Sequence, residues 1–455
     1  MYSLLSVTAT LNSIISILLA ILVLLIMITV HEFGHYIVGK IFKFKINEFA
    51  IGMGPAIFKR TNKQTGEVFS IRALPLGGYC AFEGEDENSD SENAFNNKHP
   101  LKRIAVLVSG AALNLILGVF VLMLSVGIYG QLLLKIHDFK EDANYSEYSL
   151  VENDVILKIE DKTIYMSTDV IDALKGQSQG DVVKITVQNN GVQCDRVVKL
   201  RNDVTSSNLT DNISAFTAIG VGTLEKIVQP TENSGFTKGD YIVKFDDGVD
   251  YGTGTRIYTI DEVIQKAKTL SIGDTLQLWV LSGNERKQVF IPITQDFSSL
   301  TNSEVLNKLG IIESKAVLNY SSQNVKFGFG ETLKRGFVYS FNVGTTIFRT
   351  LGELLTGKLG LEAMGGPITT ITTTSSAIEA GGFNYFLEIL GFIGINLAIF
   401  NLLPIPALDG SRVVFCLIEA IRKKPLNRKV EGVIHGVGLL VLLGFCILVD
   451  LLQIF

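Results

Sequence analysis

Charge is missing from the first thirty residues: no Asp, Glu, Lys or Arg precedes His31. Cysteine, tryptophan and histidine are scarce throughout, with four, one and five copies in 455 residues. Cys80, Cys194, Cys416 and Cys446 show no C-x-x-C and no paired spacing, which argues against both a disulfide framework and a cysteine zinc site. No basic tract interleaved with aromatics occurs and the net charge is −5, so nucleic acid is not an expected partner. The apolar N-terminal run also lacks the Lys or Arg that opens a signal peptide. A histidine motif stands where a small-residue cleavage site belongs, so the run reads as a retained membrane helix. What the chain does have is apolar surface. At 47% hydrophobic residues and a mean hydropathy of +0.34, it is too apolar for a purely soluble enzyme and long enough for two or three domains.

Four segments qualify as spanning helices, within residues 1–39, 104–130, 383–410 and 432–455. Ten Lys and Arg lie between the first two, from Lys40 to Arg103, and six between the last two, from Arg412 to Lys429; residues 1–30 carry none. The positive-inside rule then places residues 40–103 and the basic loop 411–431 in the cytoplasm, with both termini outside. The expected setting is a multi-pass protein of the inner or plasma membrane, with the lipid bilayer as one partner and the polar motifs toward the cytoplasmic face.

Between the second and third spans the chain turns polar and repeats itself. Glu152-Asn153-Asp154-Val155-Ile156 is echoed by Lys238-Gly239-Asp240-Tyr241-Ile242, and Gly180-Asp181-Val182 by Gly273-Asp274-Thr275. Each copy reads strand, short helix, then a Gly-Asp turn into an alternating strand, a pattern that resembles a PDZ domain. Residues 131–222 and 223–325 are therefore expected to be two α+β PDZ-like domains outside the cytoplasm. Peptide ligands adding to a sheet edge are a possible partner class, and plain spacer domains are the alternative.

Residues 40–95 alternate in strand fashion with Gly and Pro punctuation, which predicts one or two hairpins near the membrane whose edge is able to hold an extended chain. The acidic, Asn-rich stretch 83–97 reads as a flexible loop. Residues 326–357 are amphipathic and read as an interfacial helix. Gly365-Gly366-Pro367 and the threonine run after it, up to 382, read as a turn or short re-entrant piece.

The chemistry concentrates in His31-Glu32-Phe33-Gly34-His35, which fits H-E-x-x-H. On a helix, positions i and i+4 share a face, so both imidazoles reach one zinc ion and the glutamate sits beside it as a general base. Ionisable groups at the end of an apolar segment are costly and mark a functional site by default. Catalytic zinc usually has three protein ligands. Asp409 is the candidate third, ending an otherwise apolar helix after Pro404 and Pro406 have broken it; capping the start of a cytoplasmic helix is the plainer alternative for this residue. Two histidines and a carboxylate favour zinc over magnesium or calcium.

Together, HEFGH, Asn401-Leu402-Leu403-Pro404-Ile405-Pro406-Ala407-Leu408-Asp409-Gly410, Leu74-Pro75-Leu76-Gly77-Gly78-Tyr79 and the inserted repeat resemble the site-2 family of intramembrane zinc metalloproteases, in its bacterial form with tandem PDZ domains. The resemblance covers essentially the whole chain. It implies one zinc per chain held by His31, His35 and Asp409, and Glu32 as the catalytic residue. Asn401, Pro404, Pro406 and Asn114 match positions tied to substrate or oxyanion binding. Implied substrates are single-span membrane proteins already trimmed outside, such as an anti-sigma factor or remnant signal peptides. The tandem domains would then filter out intact ectodomains. Ala111, where many members carry proline, and Ser411-Arg412, where a second glycine is common, depart from the pattern without touching a ligand or the base. A non-catalytic scaffold and an ion transporter with a site at the broken third helix are the rival classes.

Overall fold

A computed structural model describes residues 2–85, 89–136, 150–200, 203–204, 212–219, 221, 223–232, 234–249, 254–257, 259–283, 285–318, 320–360, 365–424, 426 and 428–454. Forty residues without proline form α1 (Tyr2–Ile41). Lys43, left-handed at φ 57°, turns the chain into two long bent strands, β1 (Ile46–Thr61) and β2 (Val68–Phe82). The bends fold this pair into more than a simple hairpin: residues 48–51 of β1 pair with residues 78–81 on one side and 68–71 on the other. Residues 78–82 are thereby left at an edge. The loop that follows is built in rather than loose. Ala94 and Phe95 are buried, and Phe95 N donates to Glu83 O, because an aromatic side chain inside the acidic stretch finds the cluster of Phe44, Phe82 and Val106. Residues 86–88 of the predicted flexible loop lie outside the described residues.

Pro100 at the first helical position and His99 as N-cap open α2 (Pro100–Tyr129). The inserted unit, Leu132–Val325, follows. It comprises β3 (Gln131–Ile136), β4 (Val155–Ile159), β5 (Lys162–Thr163), α3 (Ser167–Leu174), β6 (Val182–Asn189), β7 (Val192–Lys199) and α4 (Asn212–Ala218), then β8 (Thr223–Pro230), β9 (Tyr241–Phe245), β10 (Thr255–Arg256), α5 (Ile260–Thr269), β11 (Thr275–Ser282), β12 (Glu285–Pro292), α6 (Asn302–Lys308), β13 (Ile311–Leu318) and β14 (Tyr320–Val325). The sequence repeat is a structural one. One sheet runs β14-β3-β4-β6-β7 with β5 on β4, and the other runs β13-β8-β9-β11-β12 with β10 on β9. Each covers its own apolar core, around Ile156, Ile171, Ile185 and Phe216 in the first and Ile242, Ile264, Leu278 and Phe297 in the second. The boundary expected at 222/223 is not clean, because β14, at the end of the second copy, returns to complete the first sheet.

The chain closes with α7 (Phe329–Leu355), α8 (Pro367–Asn401), α9 (Asp409–Arg422) and α10 (Arg428–Ile454), which join α1, β1, β2 and α2 in the second compact unit. Among the described residues, four helices are long and apolar enough to cross a membrane, at Ile14–Ile41, Pro100–Tyr129, Gly381–Asn401 and Val430–Gln453. Three expectations change here. The threonine run is helical rather than a turn, and α8 continues to Asn401 with a kink at Gly382 (φ 63°). The third span ends at Asn401, because Pro404 and Pro406 lack the N–H a helix needs. Residues 411–422, expected as part of a basic loop, instead form most of α9, whose buried face, Gly410, Ser411, Cys416 and Glu419, recurs at helical spacing. On α7, Arg335 is buried against Gln131 and Glu331, while Phe337, Phe341 and Phe348 face outward.

Within this unit, α1, α2 and α8 pack around Val23, Met27, Val121 and Leu390. Close approach comes from small residues: a Cβ on Gly118 of α2 would stand 2.8 Å from Gly391 O of α8.

Candidate metal centre

His31 and His35 project from one face of α1 toward α2, and their rings meet edge-to-face with centroids 4.7 Å apart. Two glycines make room. A Cβ on Gly34 would fall 2.4 Å from Ser109 O, and one on Gly110 would fall 2.5 Å from His35 Nε2. Any larger residue at either position would drive α1 and α2 apart at the level of the rings. His35 is fixed from behind, its Nδ1 donating to Val106 O at 2.8 Å.

The third group arrives from the far end of the chain. Between α8 and α9, residues 402–408 form an irregular segment in which Ala407 adopts φ 82°, a conformation costly for a residue with a Cβ. The Ala407 N–H donates to His435 Nδ1 on α10 at 3.2 Å, and Pro406 packs where Gly438 has no side chain. The segment delivers Asp409 as the first residue of α9, not as the last of the third span. Gly410 follows because a Cβ there would strike Leu403 O at 2.3 Å. α9 is itself tied down by a buried ion pair between Arg103 on α2 and Glu419, and by Leu426 N donating to Glu419.

Asp409 Oδ2 lies 2.9 Å from His31 Nε2 and 3.3 Å from His35 Nε2, and the two nitrogens are 3.1 Å apart. Ligands of a tetrahedral zinc stand about 3.3 Å from one another when each bond is ~2.0–2.1 Å, so the triangle has the size of one metal-binding face. Its donor set points the same way. His35 already uses its Nδ1 proton on Val106, which leaves the Nε2 lone pair facing the carboxylate, an arrangement of converging electron pairs that a cation satisfies. His31, Glu32 and His35 also form a cluster whose ligand atoms lie within 4.8 Å of one another.

Glu32 stands beside the triangle and accepts the Cys80 N–H, from the edge of β2, at 3.0 Å. A cavity of about 530 Å³ opens there, lined by Glu32, His35, Tyr79, Cys80, Asp409 and Arg412 among others. Away from the helices, Glu48 stiffens the strand pair. Burial pushes its carboxyl up, but hydrogen bonds from Ser70, Arg72 and Tyr79 outweigh that and hold it below the ordinary value. Of the remaining candidates, Asn401 is the last residue of α8, and Pro404 and Pro406 lie in the irregular segment. Asn114 differs, being fully buried among α1, α2 and α8. Sequence reasoning did not find Gly110, the Cys80 N–H, the Val106 carbonyl, His435 or the Arg103–Glu419 pair. Of these only Gly110 left a signal, standing one turn before Asn114 in a stretch of small residues.

The sequence profile of peptidase family M50 matches residues 19–445. The chain belongs to peptidase family M50. It is 27% identical over 446 residues to the regulator of sigma E protease of Haemophilus influenzae, covering 94% of this chain and 96% of that protein. A protein of Pasteurella multocida named "Putative zinc metalloprotease" is 28% identical over 463 residues, covering 95% of this chain and 98% of its own. One of the same name from Clostridium perfringens is 26% identical over 440 residues, covering 96% and 98%. The chain is a zinc metalloprotease whose family and helices place it in the membrane.

Proposed function

We propose that the protein is an intramembrane endopeptidase that cuts within or near the transmembrane segments of pre-trimmed single-span membrane proteins. His31, His35 and Asp409 hold one zinc ion per chain, and Glu32 is the general base. The convergence of Nε2, Nε2 and Oδ2 within 3.3 Å, beside Glu32 and on a cavity, carries this reading. A zinc ion held there supplies positive charge that brings the pKa of water toward ~7 and polarises a carbonyl. Glu32 takes a proton from the attacking water as its oxygen bonds to the scissile carbonyl carbon, then delivers that proton to the amine as the C–N bond breaks. The Cys80 N–H holds the Glu32 carboxylate in place between those two transfers. Asn401 serves the oxyanion, and Pro404 and Pro406 keep the segment before Asp409 open.

A helical substrate hides its carbonyls in its own hydrogen bonds and must unwind to be cut. The edge at residues 78–82 offers replacement backbone bonds, each worth ~1 kcal/mol net. The Lys and Arg distribution supports an inner or plasma membrane protein with its site toward the cytoplasm and the inserted unit outside. Substrates of the class of anti-sigma factors or remnant signal peptides fit this arrangement, with the inserted sheets as two PDZ-like domains that filter by size. Their edges beside β3 and β8 are filled by β14 and β13, so a peptide ligand would join at β7 or β12 or displace a strand of this chain.

The test pairs purified wild type with Glu32→Gln, scoring bound zinc and cleavage of a truncated single-span reporter in detergent. Equal zinc with cleavage only by wild type supports the reading; equal behaviour of the two on a range of reporters overturns it. Deleting residues 135–325 tests the filter, which fails if full-length substrates stay resistant.

A further inference from the structure

His31 and His35 differ in what holds the far nitrogen of each ring. His35 Nδ1 donates to Val106 O, whereas His31 Nδ1 is buried with no hydrogen-bond partner among the described residues. A metal-ligating imidazole ordinarily gives its second N–H to a fixed acceptor, which sets both the tautomer and the angle of the ring. A second unsatisfied group stands nearby on α2. Asn114 is 0% exposed, and neither its Nδ2 nor its Oδ1 has a partner among the described residues. Buried amides are rarely left so, since each loses its hydrogen bonds to water without replacement.

The helix positions bring the two together. A Cβ on Gly110 would lie 2.8 Å from His31 Cε1, so the Gly110 turn of α2 faces the His31 ring. A Cβ on Gly394 would lie 3.1 Å from Met27 Sδ and 3.2 Å from Asn114 O, which sets Asn114 beside the α1 turn one step before His31. Helical side chains lean toward the N-terminus of their own helix, so the Asn114 amide is carried back toward the Gly110 turn and toward His31. Asn114 is also absent from the lining of the cavity beside Glu32.

We propose that Asn114 is a positioning residue for the metal centre. One buried water accepts the His31 Nδ1 proton and donates to Asn114 Oδ1, fixing the tautomer in which Nε2 faces the metal. A water with these polar neighbours satisfies groups that packed apolar side chains cannot. The inference rests on His31 being a ligand. Asn114 touches neither substrate nor reacting atoms, so its effect appears in metal retention and tautomer rather than in chemistry alone.

The experiment loads full-length purified protein with zinc and follows release to a chelator for wild type, Asn114→Leu, Asn114→Ser and His31→Ala. Nitrogen NMR of 15N-histidine-labelled protein reports the His31 tautomer. Asn114→Leu, close in size but unable to bond the water, is expected to release zinc about 10–100-fold faster and to lose the single Nδ1–H tautomer. Asn114→Ser, which still accepts a hydrogen bond, is expected to stay near wild type. Release from Asn114→Leu at the wild-type rate overturns the proposal, as do equal losses from Leu and Ser. Should Asn114→Leu not fold, the Ser variant decides, because a wild-type tautomer signal supports the proposal and a mixed one overturns it. Wild-type zinc retention in His31→Ala would instead overturn the ligand reading beneath it.

Discussion

Buried carboxylates in the two compact units differ in how completely the chain itself partners them. In the inserted unit each buried carboxylate at the start of a central strand has its partners in the chain. Asp154 accepts from Val151 N, Asn189 Nδ2 and the fork of Arg196, and its counterpart Asp240 accepts from Thr237 N and pairs with Lys287. Even the backbone before them matches, left-handed at Asn153 (φ 68°) in one copy and Gly239 (φ 97°) in the other. In the helical unit, His31, His35 and Asp409 converge with too few protons to satisfy one another. A closed polar network is structure; one that closes only around something from outside is a site.

The largest effect should come from opening the second kind. Asp409→Ala is expected to abolish zinc retention and bring cleavage below detection, while the thermal unfolding of the zinc-free protein moves little; metal analysis beside calorimetry checks this. Removing a carboxylate of the first kind should reverse the pattern. Asp154→Ala leaves Arg196 partly buried and unpaired, so destabilisation of about 3 kcal/mol is expected with zinc content unchanged. Asp240→Ala should cost less, since it loses one Lys in place of a bidentate Arg. If either substitution strips zinc, the division between the units is wrong.

Glu419 sharpens the contrast, because its buried pair with Arg103 is closed yet lies on the helix that carries Asp409. Glu419→Ala should lower thermal stability by ~3 kcal/mol and also speed zinc release. Normal release would show that α9 is held well enough by its other contacts. The smallest effect concerns Glu48, whose carboxyl is held below its ordinary value. A depressed folded value stabilises the strand pair above the unfolded value and loses that contribution as pH falls through the folded one. Hydrogen-exchange protection of residues 46–82 should therefore weaken on acidification below the ordinary carboxylate range, and Glu48→Gln should flatten that dependence.

These contrasts were unequally legible in the sequence. HEFGH announced itself because its histidines are four residues apart on one helix, and the repeat because both copies keep the same strand and turn residues. Asp409 was legible only because proline had broken an apolar run just before it. Other features depend on pairs no local pattern links. The Arg103–Glu419 contact spans 316 residues, so α9 read as a basic loop although its buried face has helical spacing. The return of β14 to the first sheet was equally hidden, since β13 and β14 lie next to each other in the chain yet serve different sheets.

His31 and Asp409 are 378 residues apart, and this has a consequence during synthesis. At ribosomal speeds of about 5–20 residues per second, roughly 20–75 seconds pass between the emergence of His31 and that of Asp409. Throughout that interval the nascent chain has His31, Glu32 and His35 but not Asp409. Interrupted or truncated chains share that incompleteness. On the assignment proposed above, the site forms only once Asp409 has met His31 and His35, so hydrolytic competence would arrive late in synthesis.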